Sequence, residues 1–475
     1  MGFWPSTPAS RGCRGEPVSG RAVGRRRAVL LVANAAAPYS RGLRVARSLA
    51  AAGWEVEIAA LAADGAPLEE RDGGILIRRY VPSGRWVGWA ERPKGATSAK
   101  RSRRIPALLL DRFRKTAFWP LPVRGWWATL RRELPPADLY HAFGILTIAV
   151  ANDLAADSRK RGRAGRVVYD VIDVILDSNN YSQVPRPILA TYRFRERRWV
   201  GRADAIVTVN DPIADHIERI WSLSTHPTVL LNCQPRWIPR DPRPDLIRAA
   251  ADIPAERRIV LFLGRLGRQR GLEEAAEAVL AVRDTALVML GFGPWAEQLR
   301  ARDREPRFAG RHYTLPAVHP DDVPAWTASA DVSIIAVPAN SLNQRLSTPN
   351  KFWESLTAGT PVVVGRDLEV MRGIVEADRL GSIADPADSL DLARGLAEVL
   401  DQAPRELAAM RLRALDVTRE RYNWDAAVVG YLALTDHLVA GDPAAKPVPR
   451  PGAEAPVEGE ADKPADDGAD PGSPA

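Results

Sequence analysis

Two stretches of the chain bring together residue types that can hold a phosphorylated ligand. In LFLGRLGRQRGLEEAAEAV, residues 261–279, a strand-like run ends at Gly264, a turn carries Arg265, Arg268 and Arg270, and Gly271 opens an amphipathic helix. Glycines let backbone N–H groups approach an anion, a helix N-terminus adds partial positive charge, and an arginine fork grips phosphate oxygens. The turn has no GK[ST] ending, which excludes a Walker loop. A plain β–α turn with solvated arginines has the same spacing, and spacing alone leaves both open. In LSTPNKFWESLTAGTPVVVG, residues 346–365, Pro349 suits the first turn of a helix, and Lys351 and Glu354 share a face. A carboxylate near such a helix start can accept two hydroxyl hydrogen bonds, as a ribose offers. The alternative is a solvated Lys–Glu pair.

These residues need strands and helices to position them, and the hydrophobic patterning supplies both. From residue 28 to 232, strand-like AVLLVA, WEVEIAAL, ILIRRY, ADLYHAF, RVVYDVI, ADAIVTVN and PTVLLN alternate with helical stretches, one of which sets Val45, Leu49 and Ala52 on one face. Further helices are expected over residues 146–161 and 192–200. QPRWIPRDPRPD, with four prolines within ten residues, can belong to neither a helix nor a central strand and reads as a hinge. A second series follows: RIVLFLG, a helix over 272–283, ALVMLG, RHYTL, ADVSIIAV, a helix over 351–358, PVVVG and LGSIA, then helices from Ser389. Short buried strands alternating with helices predict two doubly wound parallel α/β domains, whose ligands bind at the carboxyl ends of the strands and in the cleft between them.

Composition narrows the function classes. The 475 residues are 46% hydrophobic and 26% charged, with a formal charge of +8. Cys13 and Cys233 cannot make a disulfide framework or a four-ligand zinc site, six scattered histidines suggest no metal cluster, and a reducing cytoplasm is the expected compartment. The longest early apolar run, residues 28–37, is strand-sized, so neither a signal peptide nor a membrane span is expected. The charge is unevenly placed: residues 1–27 carry +5 and read as a disordered basic arm, residues 441–475 carry −5 and read as a disordered Pro-rich tail, and residues 85–132 carry +11. The rest of the body sums to −3.

Taken together, these segments resemble the retaining glycosyltransferases of family 4, with their two-domain GT-B fold. GRLGRQRGLEEA is similar to the family's donor-phosphate turn, LGFGPWAEQL to its GxGP turn, and STPNKFWESLTAGTPVVVG to its PxKxxE segment. ADLYHAFGILTIAVANDLA, RVVYDVID, ADAIVTVNDPIADHI and RYNWDAAVVGYLAL follow in the family's order, so the likeness covers residues 28–440. The resemblance implies an N-terminal Rossmann-like acceptor domain over 28–235, a donor domain over 236–422, and a C-terminal helix over 423–440 returning to the N-domain.

The same resemblance implies site residues. Arg265 and Arg270 bind the donor diphosphate, Gly264, Gly291, Gly293, Ser347, Thr348 and Lys351 complete the donor site, and Glu354 holds the nucleotide ribose. Arg270 stands where lysine is usual, and Leu346 stands where the family's first glutamate would fall. His141 matches the histidine beside the donor sugar, Asp173 replaces a glutamate, and Ile172 replaces the histidine before it. Arg41, Gly42 and Arg44 in the first β–α turn are candidate phosphate or acceptor contacts. The implied chemistry is transfer of a sugar from a nucleotide-diphosphate donor to a glycan or lipid-linked acceptor, with cationic side chains and no metal or other cofactor stabilising the leaving group. The alternatives are a nucleotide-sugar epimerase and a non-catalytic sugar-nucleotide-binding or scaffold protein.

One segment departs from a compact connection. Residues 82–136 form a basic insert with Trp86, Trp89, Trp119, Trp126 and Trp127, and Val123, Trp126, Trp127, Leu130 and Leu134 recur at helical spacing. Leu109, Leu110, Phe113 and Phe118 form a similar stripe upstream. Tryptophan among cations on an amphipathic helix suits an anionic membrane interface, and the expectation is a cytoplasmic enzyme peripheral to the membrane. The competing expectation is a stripe packed on the N-domain. Nucleic acid is not an expected partner, because no binding motif accompanies the charge.

Overall fold

The computed structural model describes residues 25–36, 39–84, 119–120 and 123–441. Most of the basic arm, the insert residues 85–118 with Trp86, Trp89 and the upstream stripe, and the tail from 442 onward lie outside the described residues.

The first domain is an eight-stranded sheet in the order β3-β4-β2-β1-β5-β6-β7-β8. Its strands are β1 (Arg27–Val32), β2 (Glu55–Leu61), β3 (Glu69–Asp72), β4 (Ile75–Tyr80), β5 (Leu139–Phe143), β6 (Arg166–Val171), β7 (Ala205–Thr208) and β8 (Thr228–Val229). All neighbours are parallel except β3, which pairs antiparallel with β4. The second sheet has six parallel strands in the order β11-β10-β9-β12-β13-β14. They are β9 (Arg258–Arg265), β10 (Thr285–Phe292), β11 (His312–Pro316), β12 (Val332–Ile335), β13 (Val362–Gly365) and β14 (Gly381–Ala384). The order in which strands are added across the sheet reverses between β1 and β5 and between β9 and β12, so each sheet opens a crevice at its carboxyl edge. The two doubly wound domains thus have the predicted architecture.

Helices on both faces bury the sheets, which is why AVLLV and IVLFL are continuous apolar runs rather than alternating ones. Three local details differ from expectation. Val45 and Leu49 are buried, but Ala52 caps the helix Ser40–Ala51 and is exposed. PTVLLN shrinks to the two residues of β8 before an irregular run through residues 230–245, where the prolines lie. The helix expected over 192–200 starts earlier, at Arg186, with Pro187 in its first turn.

The C-terminal helix Trp424–Ala440 crosses back to the first domain. Asn423 caps it by accepting from the Ala426 N–H at 2.9 Å, and the Trp424 indole donates to Ser48 Oγ at 2.9 Å. Halfway along, the Tyr431 hydroxyl lies 2.8 Å from His141 Nδ1.

The described end of the basic insert corrects one expectation. Trp126 and Leu130 on the helix Arg124–Glu133, and the flanking Val123 and Leu134, are buried in the first-domain core. The Trp126 indole donates to the Ala60 carbonyl at 3.0 Å and that of Trp127 to the Leu146 carbonyl at 2.9 Å. Tryptophan N–H groups find protein partners here, so this stripe packs inward instead of facing a lipid surface.

Candidate active site between the two domains

A cavity of about 430 Å³ lies between the domains. Much of its second-domain wall comes from the segments 261–279 and 346–365. Arg268, Gln269 and Arg270 line it from the turn after β9, and Ser347, Thr348, Pro349 and Asn350 line it from the start of the helix Asn350–Thr357. Gly271, at φ +67°, allows this approach: a Cβ there would sit 1.8 Å from the Ala336 carbonyl oxygen. Arg270 is half-buried, and its pKa is lowered by burial and then by Arg265, with Asp173 across the cavity opposing them. Arg265 itself is exposed and does not line the cavity.

Lys351 is the most unusual group. It is 9% exposed, its Nζ has no hydrogen-bond partner, and the ammonium sits 4.0 Å from the centroid of the Phe262 ring. Burial, then Arg270, lowers its pKa to about 7, against a raising influence from Glu354. A Cβ on Gly264, at the end of β9, would come within 3.8 Å of Lys351 Cε, so the bare glycine backbone and the amine share one corner. A buried ammonium without an acceptor is costly, and an anion delivered there removes the cost. Thr348 Oγ1 is likewise buried without a partner.

Glu354 faces elsewhere. It lines a second cavity of about 550 Å³ with Arg44, Arg47, His319 and Asp321. Burial raises its carboxyl pKa to about 7, with Arg44 and Lys351 opposing. Gln234 Nε2 reaches it at 3.5 Å. Glu354 thus borders the second cavity, while Lys351, one helix turn before it, lines neither and follows Asn350, which lines the first.

Apart from Ile172 and Asp173, the first-domain wall was not foreseen. Asp173, Asn179, Asn180 and Asn232 line the first cavity, and side-chain amides bridge the domains around it. Asn343 donates to Asp173 Oδ1 at 3.0 Å and accepts from the Val174 N–H at 2.7 Å; Asn179 donates to Gln344 Oε1 at 3.1 Å. Asn232 donates to Asn350 Oδ1 at 2.8 Å, and Asn350 donates to Ser40 Oγ at 2.9 Å. Leu346 is buried, and its carbonyl accepts from Asn210 at 2.8 Å. The position where a glutamate was missing is thus part of the domain contact.

Several candidate residues lie away from the cavity. His141 is completely buried: Nε2 faces Asp170 Oδ2 at 3.0 Å and Nδ1 faces Tyr431. Both ring nitrogens are occupied, and burial lowers its pKa with Asp170 opposing. The strand's cleft end is Phe143, packed edge-on against Tyr39 at 5.3 Å. His141 therefore does not meet the donor-sugar role expected of it. Arg41 is also spent, donating bidentately to Asp170 at 2.8 and 3.0 Å and to the Leu230 carbonyl at 3.0 Å. Burial pushes the Asp170 carboxyl up, but Arg41 and His141 hold it below its ordinary value. Arg41 is a structural cation, not a phosphate contact. Gly42 lies within the helix against Tyr39, where a Cβ would approach Tyr39 Cδ1 to 2.4 Å. Arg44 is held by Asn232 Oδ1 at 2.6 Å and by Gln234 at 3.2 Å, and still borders the second cavity. Gly291 and Gly293 line neither cavity; Cβ atoms there would meet Gly264 O at 1.8 Å and Leu266 O at 2.1 Å, so they let β9 and β10 end side by side.

Among the described residues one trio, Asp215, Glu218 and His226, has ligand atoms within 4.8 Å of one another. His226 Nδ1 already meets Glu218 Oε2 at 2.5 Å, and the trio borders neither cavity.

Two facing Rossmann-like sheets, a C-terminal helix returning to the first, and cationic turns at the cleft define the GT-B architecture. Solved structures agree: sucrose-phosphate synthase from Thermosynechococcus elongatus superimposes with TM-score 0.61 at 17% identity, covering 88% of this chain and all of that one. HepE from Anabaena, in complex with UDP and glucose, gives 0.58 at 14% identity over 86% of this chain and 99% of that one. Residues 40–234 match the glycosyl transferase 4-like domain and residues 257–402 the glycosyl transferases group 1 domain. The chain belongs to this family of glycosyltransferases. A curated relative, the GDP-mannose-dependent alpha-(1-6)-phosphatidylinositol monomannoside mannosyltransferase of Mycolicibacterium smegmatis, is 25% identical over 176 residues, 36% of this chain and 45% of that protein. The chain thus matches about half the length of such curated relatives.

Proposed function

We propose that the chain transfers a sugar from a nucleotide-diphosphate donor to a glycan or lipid-linked acceptor, with retention at the anomeric carbon. The carrying observation is the buried, unpartnered Lys351 amine beside Gly264 and within the field of Arg270, which itself lines the first cavity, a cationic corner that a diphosphate completes. Glu354, on the second-cavity side of the same helix, accepts the ribose hydroxyls. As the bond to the sugar breaks, negative charge grows on the diphosphate, and Lys351, Arg270 and the helix start stabilise it in place. Arg268 and Arg265 add charge from the exposed side of the turn, and no metal is required. The polar wall of the Asp173 carboxylate and the Asn179 and Asn180 amides orients acceptor hydroxyls towards the donor sugar. The family of the chain and the nucleotide-sugar donor named for the mannosyltransferase relative support the reading.

No helix among the described residues is long and apolar enough to cross a membrane. The enzyme works peripherally at the cytoplasmic face, where a lipid-linked acceptor waits. Turnover with a panel of UDP-, GDP- and dTDP-sugars tests the reading. Loss of transfer in Glu354→Ala and Lys351→Ala, with folding unchanged, is expected, and activity should persist in a chelator. Unimpaired transfer in both variants would overturn the site, and donor epimerisation without transfer would favour an epimerase.

A further inference from the structure

One face of the first domain has a chemistry the cleft does not use. On the helix Arg186–Val200, Arg186, Arg193, Phe194, Arg197 and Arg198 are exposed and recur at three- and four-residue spacing, so they share a face. The helix has one acid, Glu196, and it is turned inward, 8% exposed, towards Tyr169 and Trp221. Tyr192 and Trp199 take the apolar side, stacking on Trp119 at 4.4 and 5.6 Å. Phe194 alone points out, 67% exposed among the arginines. Arg193 pairs with Asp177 at 2.6 Å, whereas Arg197 donates to the uncharged Ser222 hydroxyl at 3.4 Å.

The position of this face matters as much as its composition. Asp177 and Asn179 flank Ser178 in the loop that lines the cavity, and Tyr181 meets Tyr192 edge-on at 6.2 Å. The basic face therefore begins beside the first-domain wall of the candidate site. A single exposed apolar side chain is ordinary, and Ile238 and Leu390 are more exposed than Phe194; what sets Phe194 apart is the row of arginines around it.

We propose that the helix Arg186–Val200 docks on an anionic phospholipid surface, Phe194 entering the headgroup layer while Arg186, Arg197 and Arg198 meet lipid phosphates. The inference deepens the proposed use of a lipid-linked acceptor, by placing the cavity mouth against the surface that holds it. The test sediments the full chain with vesicles of phosphatidylcholine, with and without phosphatidylglycerol. Binding should need the anionic lipid and fall with salt. Each arginine near such a surface contributes about fivefold, so the triple variant Arg186→Gln, Arg197→Gln, Arg198→Gln should bind roughly a hundredfold less, and Phe194→Ser about tenfold less. All four positions are exposed, and unchanged melting temperatures check the fold. Parent-like binding by the triple variant, equal binding to both vesicle types, no vesicle binding by the parent, or retention by single-stranded oligonucleotide alone would overturn the proposal. Nucleoside-diphosphate binding, measured on the same proteins, separates this from the site: it should be unchanged in every surface variant, and its absence from the parent would break the donor assignment while leaving the vesicle result intact.

Discussion

Two buried charged clusters sit on opposite sides of the domain contact, and they behave differently. Around Asp170, every charge is answered: Arg41 grips the carboxylate with two bonds, His141 takes the same oxygen, and Tyr431 closes the far nitrogen. Around Lys351 the buried amine has a ring and a repelling arginine but no acceptor. The first cluster is complete without a ligand and fastens the C-terminal helix to the first domain. The second is incomplete, and the missing part is an anion. A buried cation marks a binding site when its partner is absent, not because it is buried.

Variants that break this contrast should do so with opposite signatures. Arg41→Met strands a buried carboxylate, so unfolding in denaturant should show a loss of about 3–5 kcal/mol. Lys351→Met removes an unsatisfied charge, and its melting temperature should hold or rise. Its transfer rate at limiting donor should nevertheless drop about 10²–10³-fold, the usual cost of losing one stabilising donor from a developing anion. Equal destabilisation by both substitutions would erase the distinction.

Smaller effects sharpen it. Donor affinity should peak near pH 7. Above that, Lys351, whose pKa burial lowers to about 7, gives up the proton that an anion needs; below it, Glu354, whose pKa burial raises to about 7, becomes protonated and accepts hydroxyls more weakly, on one oxygen instead of two. Titration of nucleoside diphosphate across pH should show both limbs, and Lys351→Met should flatten the alkaline one. Arg265→Ala should weaken donor binding only a few-fold, because the side chain is exposed and screened by solvent. An effect as large as that of Lys351→Met would move the anion site outward along the turn.

The parallel strands were readable because helices cover both faces of each sheet and the runs are apolar throughout, as in RIVLFL and PVVVG. The strand Glu69–Asp72 was not: EERD has no apolar alternation and exists because it can pair with the edge of β4. The second-domain wall was legible in its glycines and arginines, which are close in sequence. The asparagine wall was not, since Asn179, Asn232 and Asn343 lie on irregular or short segments and meet only through the fold. His141 shows the converse. Its flanks resemble a cleft strand, but its role is decided by Tyr431, 290 residues away.

Calorimetric binding of a nucleoside diphosphate at pH 8, in buffers of different ionisation enthalpy, tests the central claim most directly. If Lys351 is the unfilled cation, the parent protein takes up close to one proton per ligand bound, and Lys351→Met binds far more weakly with no such uptake. Tight, proton-neutral binding that Lys351→Met retains would contradict it.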